Sequence, residues 1–128
     1  MRLTTPVNQV MSRLPAEIDR RESLATAVER LREVGVRHLP VMDGTALYGV
    51  LSPRDVTTAW IREGDAAAEV PVGDVCTTAP LTVAPTDTVR DVAARMVARG
   101  VTSAIVVDGT VLVGIFTSSD ALTILAGG

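Results

Sequence analysis

Two short stretches place a hydroxyl and a carboxylate three residues apart: Ser52-Pro53-Arg54-Asp55 and Thr117-Ser118-Ser119-Asp120. Each follows an apolar run, ending at Leu51 or Phe116, so each falls where a strand hands over to a helix. Two chemistries suit that spacing. In one, the pair is a capping box: the hydroxyl accepts the third helical amide proton and the acid reaches back to the cap amide. In the other, the hydroxyl and the free amides meet a phosphate or ribose oxygen, while the carboxylate accepts hydrogen bonds from a ribose diol. A carboxylate repels phosphate, so its fitting target is the neutral sugar. The residues alone leave both chemistries open.

Arg37-His38-Leu39-Pro40-Val41 is the second candidate. Arg37 or His38 can aim polar atoms at phosphates, with Pro40 as an apolar wall for a base. The plainer reading is surface charge before a buried strand, with an ordinary half-exposed histidine. Further along, the matching positions are Thr102, Ser103 and Ile105, which carry no charge. Catalysis finds little footing. There is no cysteine–histidine–acid set and no GxxxxGK[ST] loop, and Ser52 and Thr117 have no base nearby other than His38. With one Cys, Cys76, and one His, neither an internal disulfide nor a transition-metal site is expected. No enzyme activity and no required cofactor are expected.

The elements that must position these groups come from an internal repeat. Laying Pro6 to Trp60 over Pro71 to Leu125, an offset of 65, gives 15 identities in 55 ungapped pairs, where composition alone gives roughly five. Matches fall where backbone geometry is demanding: Pro6/Pro71, Pro15/Pro80, Gly35/Gly100, Asp43-Gly44-Thr45/Asp108-Gly109-Thr110, Gly49/Gly114 and Asp55/Asp120. The first copy reads as a strand over Ala16 to Ile18 and a helix capped by Ser23 and closed by Gly35. A hairpin follows, around Asp43-Gly44, and then a helix capped by Ser52 with Pro53 at its first position. The second repeats this with Leu81 to Val83, Thr88, Gly100, Asp108-Gly109 and Thr117. The expected fold class is therefore α+β, two β-α-β-β-α units over 6–63 and 71–126, joined by a connector over 64–71. A unit of this size is marginal at burying its own sheet face, so the two are expected to pack about a pseudo-twofold axis and to make paired sites.

Composition sets the outer limits. Hydrophobic residues make up 47% of 128 positions, nearly all aliphatic, which is enough for a core. The net charge of -3 and the absence of a basic run argue against a nucleic-acid backbone as the main partner. All 12 basic residues are Arg, so any cationic phosphate contact is a guanidinium fork. No apolar run approaches the roughly 20 residues that cross a bilayer, and the first ten residues lack a signal-peptide core. A cytoplasmic protein is expected.

The Val-Met-Ser opening with Pro15 soon after, Gly35-Val36-Arg37-His38-Leu39-Pro40-Val41-Met42-Asp43, and Gly49-Val50-Leu51-Ser52-Pro53-Arg54-Asp55 together resemble a CBS (cystathionine beta-synthase) domain. The second copy fits the same pattern, so the chain from Pro6 to about Leu125 resembles a tandem CBS pair, or Bateman module. The resemblance implies a regulatory fold that binds AMP, ADP, ATP or S-adenosylmethionine in clefts between the units, forms disc-like homodimers and acts on an unidentified protein partner in trans. By position, Asp55 and Asp120 would hold ribose hydroxyls, and Ser52 and Thr117 ribose or phosphate oxygen. Arg54 and Ser119 would face the phosphates. Arg37 and His38 match phosphate-contact positions, and Thr102 and Ser103 match them without charge. The base would stack among Arg13-Leu14-Pro15 or Thr78-Ala79-Pro80. Cys76 stands where the opening motif usually has Met. The alternative to a sensor is a dimerisation or interaction module with unused clefts.

Overall fold

Local sequence signals place the elements. In the computed structural model, which describes residues 2–14 and 16–127, the first repeat contributes β1 (Ile18–Asp19), α1 (Leu24–Val34), β2 (Leu39–Asp43), β3 (Ala46–Leu51) and α2 (Pro53–Glu63). The second contributes β4 (Thr77–Thr78), β5 (Thr82–Val83), α3 (Val89–Arg99), β6 (Ser103–Asp108), β7 (Val111–Thr117) and α4 (Ser118–Leu125). Ser23 and Thr88 cap α1 and α3, accepting the amide protons of Thr26 and Asp91. Left-handed Gly35 and Gly100 end the same helices. The expected α+β class holds. The leading strands are shorter than expected, because Ala16 and Leu81 precede the paired residues.

There are two sheets. In one, β1 runs parallel to β2, β2 antiparallel to β3, and β3 antiparallel to β4. In the other, β5 runs parallel to β6 and β6 antiparallel to β7. Both hairpins close through a two-residue loop, with Asp43 opposite Ala46 and Asp108 opposite Val111. Both also shift register at matching points, Val41/Met42 and Val106/Val107.

The packing units are out of step with the sequence repeat. Among described residues, those of Met1–Leu14 and Leu81–Gly128 form one compact unit, and those of Pro15–Pro80 form the other. The opening segment of each repeat thus belongs to the body of the other copy. In the first of these units Val7 donates its amide proton to Asp87 O at 2.8 Å, and Val89 to Thr5 O at 2.9 Å. In the second, Val72 donates to Glu22 O at 2.7 Å and Leu24 to Val70 O at 2.8 Å. Val7 is fully buried among Leu81, Val92, Met96 and Phe116, and Val72 among Ile18, Leu39, Val41 and Leu51. Burying either valine stabilises its unit by about 2 kcal/mol relative to exposure. The contiguous spans 6–63 and 71–126 trace the repeat in the sequence, whereas the interiors follow the exchanged segments.

The connector over 64–71 carries more structure than its composition suggests. Gly64–Glu69 winds as a 3-10 helix that buries Ala67, and Val70 then pairs with Leu24. An alanine run has no amphipathic stripe to read, yet its small side chains allow close packing against α1 and α2.

Candidate functional site

Both hydroxyl–carboxylate pairs form complete capping boxes. At α2, Asp55 N–H donates to Ser52 Oγ at 3.3 Å, while Ser52 N–H and Ser52 Oγ–H both donate to Asp55 Oδ2, at 2.9 and 3.0 Å. At α4, Asp120 N–H donates to Thr117 Oγ1 at 3.3 Å, and Thr117 N–H and Oγ1–H donate to Asp120 Oδ2 at 2.8 and 3.2 Å. The cap chemistry therefore consumes one carboxylate oxygen. The other oxygen, Oδ1, takes no part in the capping box.

Oδ1 has a partner that the sequence did not disclose. Thr77 Oγ1–H donates to Asp55 Oδ1 at 3.0 Å, and Ser12 Oγ–H donates to Asp120 Oδ1 at 3.2 Å. Thr77 lies 65 positions after Ser12, so the same bond is built twice. Each hydroxyl arrives on an exchanged opening segment. Thr77 pairs with Val50 on the edge of β3, and Ser12 exchanges two backbone hydrogen bonds with Ile115, at 2.8 and 2.9 Å. The available signal was a hydroxyl at equal register in both copies, but nothing in the repeat says which copy it serves.

Gly49 and Gly114 make this approach possible. A Cβ on Gly49 would sit 2.5 Å from Thr77 O and 2.8 Å from Cys76 Sγ; one on Gly114 would sit 2.8 Å from Ser12 O and press on Met11 Sδ. Any side chain there would push the opening segment off the strand. Cys76 Sγ–H rests 3.7 Å from Gly73 O. Burial, followed by the negative charges of Asp55 and Asp74, pushes its thiol up to about 11, so it is neutral at pH 7.

The other expected residues divide between the units. With Ser52 and Asp55, the Pro15–Pro80 unit holds Arg37, His38, Pro40, Arg54 and Ala79. Leu39 pairs with Leu51, which brings Arg37 and His38 to the same end of the sheet as Ser52. Arg37 and Arg54 are exposed and His38 is half-buried. Ala79 follows β4 with a left-handed backbone, φ 51°, an uncommon conformation for a non-glycine residue. Pro40 departs from expectation: its ring is fully buried in β2, so it offers no open wall for a base. Leu39, Pro40, Val41 and Met42 are all buried, so both faces of this strand are covered.

With Thr117 and Asp120, the other unit holds Leu14, Thr102, Ser103 and Ser119. Ser103 pairs with Thr117, and Thr102 O accepts from Ser118 N–H at 3.0 Å. Thr102 and Ser119 are exposed, and Leu14 and Ser103 half-buried. Pro15 lies outside the described residues. Among the described residues no cluster of three His, Cys, Asp or Glu side chains is placed to hold a metal ion, and no helix is long and apolar enough to cross a membrane.

Solved structures resemble the chain along nearly its whole length. A candidate acetoin utilization protein (AcuB) from Vibrio cholerae is 32% identical, with 98% of this chain and 93% of that one covered and a TM-score of 0.77. The CBS domain pair of protein MJ0100, solved in complex with 5'-methylthioadenosine and S-adenosyl-L-methionine, is 25% identical, with 97% and 98% covered and a TM-score of 0.84. CBSX2, solved in complex with AMP, is 26% identical, with 95% and 96% covered and a TM-score of 0.73. No curated protein sequence matched. The family model for the CBS domain matches twice, over residues 7–62 and 72–127. Two full matches in register with the repeat, on a fold shared with solved CBS pairs, make this chain a tandem member of the CBS domain family.

Proposed function

We propose that this CBS pair is a regulatory module that binds an adenine nucleotide or adenosyl compound (AMP, ADP, ATP or S-adenosylmethionine) and signals through a conformational change. One observation carries the reading: in each unit the capping box leaves carboxylate Oδ1 of Asp55 or Asp120 turned toward a hydroxyl donor instead of the helix, where a ribose hydroxyl can meet it. Two similar structures add support, since MJ0100 was solved with adenosyl ligands and CBSX2 with AMP. In this reading Asp55 and Asp120 accept ribose hydroxyls, Ser52 and Thr117 meet ribose or phosphate oxygen, and Leu14 and Ala79 lie by the base.

The phosphate ends are unequal. The unit of Asp55 carries Arg37, His38 and Arg54, and the unit of Asp120 carries Thr102, Ser103 and Ser119 at the matching positions. A triphosphate gains charge-assisted hydrogen bonds only at the first, so polyphosphate selects the Asp55 site and the second suits a ligand with little phosphate. Signalling follows if the ligand binds two arrangements of the protein with different affinity, biasing their populations. Calorimetric titration with the four ligands tests this, and flat traces for all four overturn it.

The second reading is a homodimerisation or interaction module with idle sites. The complete capping boxes favour it, because Ser52/Asp55 and Thr117/Asp120 already have a structural task. So do Trp60 and Ile61, 64% and 76% exposed on α2. The titration separates the two readings directly.

A further inference from the structure

We infer that the close approach of Gly73 to Arg20 decides which copy each opening segment serves: it admits the segment leading into β4 to the first repeat's slot and refuses the segment that carries Asn8. Either pairing would otherwise satisfy the repeat, because the two segments carry equivalent groups, Val7 and Val72, Met11 and Cys76, Ser12 and Thr77. Chain length does not choose between the slots. If the first segment took the place of β4 beside β3, it would have to return to β1, three strands along the sheet, a distance of about 14 Å. The chain from Ser12 to Ile18 reaches about 20 Å.

The slots differ at one register position. Asn8 and Gly73 are equivalent, and each donates its amide proton to the turn after the leading strand, Asn8 to Pro85 O at 3.1 Å and Gly73 to Arg20 O at 2.8 Å. Beside Gly73 there is no room for a side chain. A Cβ there would stand 2.9 Å from Arg20 Cβ and 3.0 Å from Arg20 O, and neither atom is the flexible end of a side chain. Arg20 is held in place three ways. Its N–H donates to Met42 O at 2.8 Å, its guanidinium lies 4.7 Å from the centroid of the Tyr48 ring, and Nη1 is 3.6 Å from Asp43 Oδ2. The other slot lacks these ties: Pro85 has no N–H to give β6, and Val113 stands at the position of Tyr48. Asn8 is therefore accommodated against Pro85, whereas in the first repeat's slot its side chain would overlap Arg20. One exclusion is enough, because a fold with each segment on its own copy needs both segments to change slots.

The test uses the full chain in a Cys76→Ser background, with cysteine pairs that report where the first segment lies. Ser12→Cys/Ile115→Cys marks the observed slot, since Ser12 and Ile115 exchange backbone hydrogen bonds. Ser12→Cys/Val50→Cys marks the equivalent place on the first repeat, where Val50 pairs with Thr77. Each chain is refolded from urea and oxidised with glutathione, and its crosslinked fraction is read by mass spectrometry. Chains that keep Asn8 should form the disulfide at the Ile115 position and only a trace at the Val50 position. Asn8→Gly should raise the Val50-position fraction about 5- to 100-fold, the size of relieving one overpacked contact, and Asn8→Gly/Gly73→Asn should make it the main product. Gly73→Asn alone should lower the melting temperature, and an unchanged one overturns the inference. So does a Val50-position fraction that is prominent while Asn8 is present, or one that stays at that level in both Asn8→Gly and the exchanged variant. If the exchanged variant does not fold, Asn8→Gly alone decides, since it removes only a side chain that is exposed in the native fold.

Discussion

Thr77 and Asp55 are joined side chain to side chain at 3.0 Å, across 22 residues and from opposite repeats. Ser12 and Asp120 are joined the same way across 108. A ligand that engages either aspartate therefore meets both repeats within one compact unit, because the hydroxyl and the acid are carried by different copies of the motif. The capping box explains why the acid is present; the exchanged hydroxyl explains why its second oxygen is held in a defined place.

Asp55→Ala and Asp120→Ala each orphan a cap amide and should lower unfolding free energy by about 1 kcal/mol, read from urea denaturation. The same variants should lose the nucleotide-induced rise in melting temperature that ligand linkage predicts for wild type. A rise as large as the wild type's in the double variant would remove the aspartates from the sugar site.

Gly49→Ala and Gly114→Ala should each cost about 1–3 kcal/mol, since the new methyl overlaps the carbonyl of Thr77 or Ser12. Thermal melts of the two variants read this directly. Melting temperatures equal to wild type would mean that the opening segments can shift without penalty.

Arg37→Ser/Arg54→Ser should weaken ATP binding at least about tenfold, as loss of charged hydrogen bonds does, and leave S-adenosylmethionine affinity nearly unchanged. Thr102→Ala/Ser119→Ala should barely affect ATP. Calorimetry of the two double variants against both ligands checks the asymmetry, and equal ATP losses would contradict it.

Cys76 gives a pH signature. Its folded thiol is raised from 9.0 to about 11, so between those values the unfolded chain ionises first and the folded form holds the extra proton. The contribution is complete below pH 9 and lost as pH rises through 11. The denaturant midpoint of wild type should fall faster across that window than that of Cys76→Ala. Parallel curves would contradict the assignment.

Trp60→Ser/Ile61→Ser removes the most exposed apolar pair on α2. Sedimentation should show a wild-type dimer and a variant shifted to monomer. A wild-type monomer at all concentrations would rule out homodimerisation through this face.

Much of this architecture was legible because local signals agree. Ser23, Thr88, Gly35 and Gly100 bracket two helices by cap chemistry, and Asp43-Gly44 and Asp108-Gly109 set both hairpins. Ser52/Asp55 and Thr117/Asp120 were legible as hydroxyl–acid pairs, and of the two chemistries first considered for them the capping box is the one formed in the structure. The roles of Ser12 and Thr77 were hidden for a definite reason. An in-register repeat is equally well satisfied by a segment packing on its own copy or on the other, so Val7 and Val72 could not be assigned to an interior from spacing alone. Pro40 was misplaced because a strand covered on both faces has no outward side, and the run Leu39-Pro40-Val41-Met42 reads the same whether one face is open or not.

The exchanged opening segments also order the chain in time. Pro15–Pro80 contains every residue of its own interior, so this unit can complete once Val72 and Thr77 have been synthesised. Val7 has no such neighbour nearby in the sequence. Its partners Asp87, Met96 and Phe116 arrive some eighty to a hundred and ten residues later, and closing so long a loop is slow as well as entropically costly. The segment around Val7 cannot dock before those partners are made, and until it docks the Ser12–Asp120 bond is unmade and the core around Phe116 lacks Val7.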